Sequence, residues 1–135
     1  MASIFTRIVN REIPAHIVAE SDEFLAFLDI SPLVEGHTLV IPKKEVDYLF
    51  DLDDDTLVGL NLFAKKVAKA IASVCDCERV GVSVIGLEVP HAHIHLIPIN
   101  SMDDMNFSRM KLSPSKVELE KAAEKIGTAF FTVNS

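Results

Sequence analysis

His91-Ala92-His93-Ile94-His95-Leu96-Ile97 is the stretch on which the reading turns. Polar and apolar residues alternate through it, which is the period of a half-buried β-strand. Side chains alternate faces along a strand, so the three imidazoles are expected to point one way. Ala92, Ile94 and Leu96 then point the other way, into a core. Successive histidines stand roughly 6.6 Å apart at about 3.3 Å per residue. Imidazole changes charge near neutral pH and can donate, accept or attack. A row of three could therefore hold an anion, attack phosphorus or bind a metal. A single strand histidine is ordinarily a surface residue or a satisfied core residue. Three in alternation, out of five in the chain, are not what packing alone produces.

Pro98 ends this strand, and Gly86 to Pro90 connect it to a preceding strand, Val80 to Ile85. Further upstream, His37-Thr38-Leu39-Val40-Ile41 reads as a strand opened by Gly36 and stopped by Pro42. Ile17–Glu20 and Phe24–Asp29 form a hairpin around Ser21-Asp22-Glu23. Between these strands lies one long helix, from about Thr56 to Val74. Its face is Leu57, Leu60, Ala64, Val67, Ile71 and Val74, and acidic residues at its start complement the helix dipole. Val58, Leu62 and Phe63 widen its apolar surface beyond one stripe, which suggests a partner subunit. Ser101 to Leu112 reads as a loop. A second helix follows, with Ser113-Pro114 as cap and first turn, a stripe of Leu119, Ala122, Ala123 and Ile126, and Gly127 as C-cap. Hairpins plus two helices predict an α+β domain with a five-stranded, mainly antiparallel sheet.

The chain has 135 residues, 49% of them hydrophobic, with a formal net charge of -7. That length predicts one domain, residues 1–135, with a core large enough to need no staples. The acidic balance argues against a nucleic-acid polymer or an anionic membrane as partner. No uncharged apolar stretch reaches the length of a membrane span, and residues 1–7 carry no secretory signal pattern. Cys75 and Cys77 are too close in sequence to bridge each other. The expectation is a cytoplasmic protein.

The histidine heptad resembles the signature of the histidine triad (HIT) family. Three other blocks resemble those of bacterial members, in the same order: Glu12-Ile13-Pro14-Ala15, Phe27-Leu28-Asp29-Ile30-Ser31-Pro32, and Gly36 to Lys44. The resemblance covers residues 1 to 99 and leaves the C-terminal segment, 101–135, as a variable part. It implies a homodimer that hydrolyses or transfers nucleotides at the α-phosphate. By that likeness His93 is the nucleophile, forming a nucleotidyl-histidine, and His95 contacts phosphate oxygens. His91 and His37 complete a hydrogen-bonded network. Asp29 matches the position that holds ribose hydroxyls, although a turn residue is an equal reading of it. Ile30, Ser83 and Glu88 are further candidates for substrate contact, and Phe5, Ile8, Phe27, Ile30 and Leu39 could wall a base pocket or simply be core. The implied ligand is a purine nucleotide or nucleotide conjugate, with no cofactor. His16, isolated in a turn-prone stretch, is given no role.

The sequence departs from the family pattern in two places. Leu87 stands where a glutamine is common before the triad, no asparagine lies between Arg79 and His91, and Glu88 adds negative charge. Ser3, Thr6 and Glu45 stand where some bacterial members hold structural zinc, and hydroxyls are poor zinc ligands. Two other readings of the sequence stay open. One is a metal-dependent hydrolase using the histidines as ligands. The other is a non-catalytic, dimeric nucleotide-binding module.

Overall fold

The computed structural model describes residues 2–135. Its elements are α1 (Ile4–Val9), β1 (Ile17–Glu20), β2 (Phe24–Leu28), β3 (Thr38–Pro42), α2 (Asp54–Val74), β4 (Arg79–Ser83), β5 (Ile94–Ile99) and α3 (Lys116–Val133), with short 3-10 turns at Leu49–Asp51 and Met102–Met105. The strands form one five-stranded sheet in the order β1-β2-β3-β5-β4, every neighbouring pair antiparallel. The expected α+β class and sheet are present, but the helices number three rather than two.

The additional helix, α1, explains why β2 and β3 are buried at every position. Alternate residues of these strands serve two different cores. Phe24, Ala26, Leu28 and Val40 pack with α2 and α3. Leu25, Phe27, Leu39 and Ile41 pack with Phe5 and Ile8 of α1 on the opposite face. A fully buried strand carries no alternation, and a six-residue helix is too short to show a clear period, so α1 leaves little trace in the sequence.

Helix α2 begins at the Asp53 cap, whose carboxylate accepts from the Thr56 amide at 3.1 Å. Its buried face is Leu60, Phe63, Ala64, Val67, Ala70 and Ile71. Helix α3 starts two residues later than expected. Ser115, not Ser113, is the N-cap, in a reciprocal capping box with Glu118. Gly127 is not a C-cap, because the helix runs on to Val133. A Cβ at Gly127 would lie 3.1 Å from the Val18 carbonyl oxygen, so the glycine lets α3 approach the backbone of β1. Gly36 (φ 94°) is needed for the turn into β3, where a side chain would also meet Cys75 Sγ.

The triad strand is shorter at its start than the alternation implied and longer at its end. β5 begins at Ile94, so His91 and His93 lie just before it. The β3 ladder reaches only to Ile94 and the β4 ladder only to His95, which leaves residues 91–93 without a strand partner. The His91 amide instead donates to Val89 O and the Ala92 amide to Val46 O, at 2.8 and 2.7 Å. At the far end Pro98 sits within the strand, opposite Val80. β3 has no pairing beyond Leu96, so a residue lacking an N–H is tolerated there. The expected division of faces holds: Ala92, Ile94 and Leu96 belong to the core under α2 and α3.

Candidate functional site

Four histidines, His37, His91, His93 and His95, are buried together on the α1 side of the sheet. His95 is paired with Leu39 in the ladder, and Phe5 of α1 stands edge-on to His93 at 5.0 Å and to His91 at 5.9 Å. The rings are therefore held by packing as well as by hydrogen bonds.

Backbone partners fix the tautomers of His91, His93 and His37, and His37 in turn fixes that of His95. A backbone carbonyl only accepts and a backbone amide only donates, so the ring nitrogen facing it is determined. His91 Nε2 faces Pro42 O at 2.7 Å and carries the proton, leaving Nδ1 to accept from the Ser3 hydroxyl at 2.8 Å. His93 Nδ1 faces His91 O at 2.7 Å and carries the proton. In the neutral ring the lone pair is then on His93 Nε2. The Leu33 amide donates to His37 Nδ1 at 3.1 Å, so His37 Nε2 carries the proton and donates to His95 Nδ1 at 3.0 Å. That leaves the second proton of the relay on His95 Nε2.

His93 Nε2 and His95 Nε2 make no internal hydrogen bond, and among the described residues no fully buried side-chain nitrogen or oxygen lacks a partner. Both nitrogens must then open onto the cleft that their residues line. One offers an electron pair and its neighbour, with ring centroids 4.9 Å apart, offers a proton. Burial holds His37 neutral, with its pKa pushed down to about 3, and His95 likewise, at about 4. His91 is lowered too, again chiefly by burial.

The cleft has a volume of about 350 Å³. Phe5 and Leu39 form part of its apolar wall, Asp29 and Glu88 line it, and His93 and His95 stand on its floor. Burial raises the Asp29 carboxyl, partly opposed by the Ser31 amide, which donates to it at 2.9 Å. Ile8 and Phe27 are core residues beneath the cleft. Ile30 is 66% exposed and lies outside the cleft lining, as does Ser83. Ser83 is paired across the sheet from His95 and so shares its face, but it is not among the residues that line the cavity.

Two groups of residues were not recognisable as part of the site. Phe107 and Lys111 come from the stretch read only as a loop and line the cleft. Phe107 packs its ring 4.9 Å from His95. No period or motif marks them. The second group is Ser3, Thr6 and Glu45, which meet behind His91. The Ser3 amide and the Thr6 hydroxyl both donate to Glu45 Oε1 at 2.6 Å, and the Ser3 hydroxyl reaches His91. Those hydrogen bonds hold the Glu45 carboxyl well below the usual carboxylate range, the Thr6 hydroxyl contributing most. Two alcohols, one carboxylate and an imidazole already engaged at both nitrogens do not fit zinc. They form a hydrogen-bonded bracket for His91 instead.

Asp29, His37 and His95 also bring one ligand atom each within 4.8 Å of one another. His37 Nε2 and His95 Nδ1 already share a proton between them at 3.0 Å. Both nitrogens of His91 are likewise engaged, by Ser3 and by the Pro42 carbonyl, which works against His91 as a metal ligand.

A family model for the HIT domain matches residues 10–102. The chain belongs to the histidine triad family. An uncharacterized HIT-like protein of Borreliella burgdorferi is 38% identical over 129 residues, covering 90% of this chain and 91% of that protein. The adenosine 5'-monophosphoramidase of Saccharomyces cerevisiae is 39% identical over 98 residues, covering 72% of this chain and 62% of the yeast protein. Among solved structures, a hypothetical histidine triad nucleotide-binding protein from Sulfolobus tokodaii superposes with a TM-score of 0.83 at 30% identity, covering 96% of this chain and 93% of that one. As a HIT protein the chain falls, at a coarse level, among nucleotide hydrolases and transferases, though many of these relatives are uncharacterized.

Proposed function

We propose that this HIT protein, acting as one unit over residues 1–135, hydrolyses or transfers nucleotide conjugates at the α-phosphate through a covalent intermediate on His93. The observation that carries the reading is the His93 ring held by Nδ1 to the His91 carbonyl, with Nε2 free of any internal partner and opening onto a cleft beside the protonated His95 Nε2. The lone pair attacks phosphorus, and the bond from phosphorus to the leaving group breaks with its electron pair staying on that group. For a phosphoramidate the leaving group is an amine, which takes up a proton. Water then cleaves the phosphorus–Nε2 bond, giving a nucleoside 5'-monophosphate and free His93. His95 Nε2–H donates to phosphate oxygens, where charge builds up, and His37 holds it in that tautomer. The His91 carbonyl holds the His93 ring by its Nδ1 proton. Asp29 accepts from ribose hydroxyls, and Phe5 and Leu39 flank a purine base.

The named activity of the yeast relative supports a phosphoramidate as first substrate to try. Adenosine 5'-phosphoramidate is expected to yield AMP and ammonia, with the same rate after treatment with a chelator. Tight binding of AMP without turnover would instead make the chain a non-catalytic nucleotide-binding module. Turnover abolished by the chelator would favour a metal-dependent hydrolase.

The same proposal includes a homodimer. β4 is an outer strand of the sheet, and its Val82 is 62% exposed. Val82 borders a shallow apolar groove with Ala64 and Ala68 of α2, and Val58 and Leu62 of α2 are exposed as well. An exposed edge strand beside unpartnered apolar residues is a surface that pairing would cover. Light scattering at micromolar concentration should give twice the chain mass of 14.9 kDa, and a monomer would remove this part of the proposal. The acidic net charge of -7 disfavours a nucleic-acid polymer as ligand. No helix among the described residues is long and apolar enough to cross a membrane.

A further inference from the structure

The cleft is short of positive charge for the ligand it is read to take. Of the two histidines that line it, His95 is held neutral by burial, and two carboxylates, Asp29 and Glu88, line it as well. A nucleotide would add its own negative charges. Lys111 is the one lysine or arginine in the lining.

The placement of Lys111 is built, not incidental. The segment carrying it is tied down on both sides. Arg109 donates from Nη2 to Leu33 O at 2.5 Å and pairs through Nη1 with Asp103 and Asp104, at 3.0 and 3.4 Å. The Leu112 amide donates to Pro32 O at 2.9 Å. Phe107 seals the same segment against His95 and His37. Lys111 Nζ donates to the Phe107 carbonyl at 3.1 Å, which leaves its other protons for a ligand.

We propose that Lys111 is a specificity residue, a cationic subsite for a negatively charged group attached beyond the α-phosphate, so that the cleft favours nucleotide conjugates with anionic leaving groups, such as nucleoside polyphosphates. This rests on the nucleotide reading of the site. The ammonium is exposed, so its effect is graded by ligand charge and screened by salt rather than absolute. It would also supply, from another part of the fold, a donor that Leu87 and Glu88 do not provide.

The test compares adenosine, AMP and ADP binding to the full chain and to Lys111→Met by calorimetry, with Lys111→Arg as the charge-conserving variant. At about 50 mM salt, Lys111→Met should lose roughly tenfold in ADP affinity and threefold or less in AMP affinity. Adenosine binding should not change, and Lys111→Arg should restore most of the ADP affinity. The ADP-to-AMP affinity ratio of the parent should fall as salt rises, and that of Lys111→Met should not. An unchanged ADP-to-AMP ratio in Lys111→Met overturns the proposal and leaves the nucleotide reading standing. An equal loss for all three ligands overturns it too, since that is a structural effect. A parent that binds none of the three overturns the proposal and the reading together.

Discussion

Replacing His93 with alanine should lower turnover of adenosine 5'-phosphoramidate by roughly four orders of magnitude or more, the scale on which enzymes lose activity when a covalent nucleophile is removed. AMP binding should survive, because Asp29, Phe5, Leu39 and His95 still line the cleft. Alanine also leaves the His91 carbonyl without its donor and opens a small cavity beside Phe5. His93→Asn is the companion variant that guards against a folding artefact. Its amide can donate to His91 O as Nδ1 does, but it has no nucleophilic nitrogen in the place of Nε2. Both variants should be inactive, and His93→Asn should keep a thermal midpoint near that of the parent. Turnover of either variant within tenfold of the parent would remove His93 from the chemistry.

The second large effect is on stability in acid. His37 and His95 are held neutral in the fold, with pKa values pushed by burial to about 3 and about 4. In the unfolded chain a histidine titrates near 6.5. Both folded values are lowered, so the unfolded state takes up protons first as pH falls. The stabilisation is complete above about pH 6.5 and is lost as pH drops toward the folded values. Each histidine contributes a slope of up to about 1.4 kcal/mol per pH unit across that window, so urea melts at pH 7 and pH 4 should differ by several kcal/mol. His91 shifts in the same direction. His37→Gln should flatten the slope between pH 6.5 and 4 by about one histidine's share. A parent equally stable at pH 4 and pH 7 would mean that these rings are not held neutral by the fold.

The extent to which the sequence foretold the site follows from the physics of each part. The alternating heptad was legible because one of its faces is core, and Ala92, Ile94 and Leu96 do pack there. Its strand ends were not, because a ladder's length depends on where β3 and β4 stop, which lies in other segments. The periodic face of α2 was readable for the reason that the six-residue α1 was not: a stripe needs several turns to declare itself. Gly127 misled because glycine at a helix end and glycine at a close helix–strand approach look the same in sequence. Asp29 and His37 come from blocks shared with the family and do stand beside His95. Phe107 and Lys111 reach the cleft only through the anchoring of their segment to Leu33 and Pro32, a long-range contact without any local signature.

The most direct measurement is to catch the bond itself. The protein would be mixed with adenosine 5'-phosphoramidate or ADP carrying labelled α-phosphate, quenched in base, which spares phosphorus–nitrogen bonds, and mapped by mass spectrometry. The account predicts label on the peptide containing residues 91–97, at His93, lost on acid treatment and missing from His93→Asn. Full turnover with no label retained, or label at another residue, would contradict it.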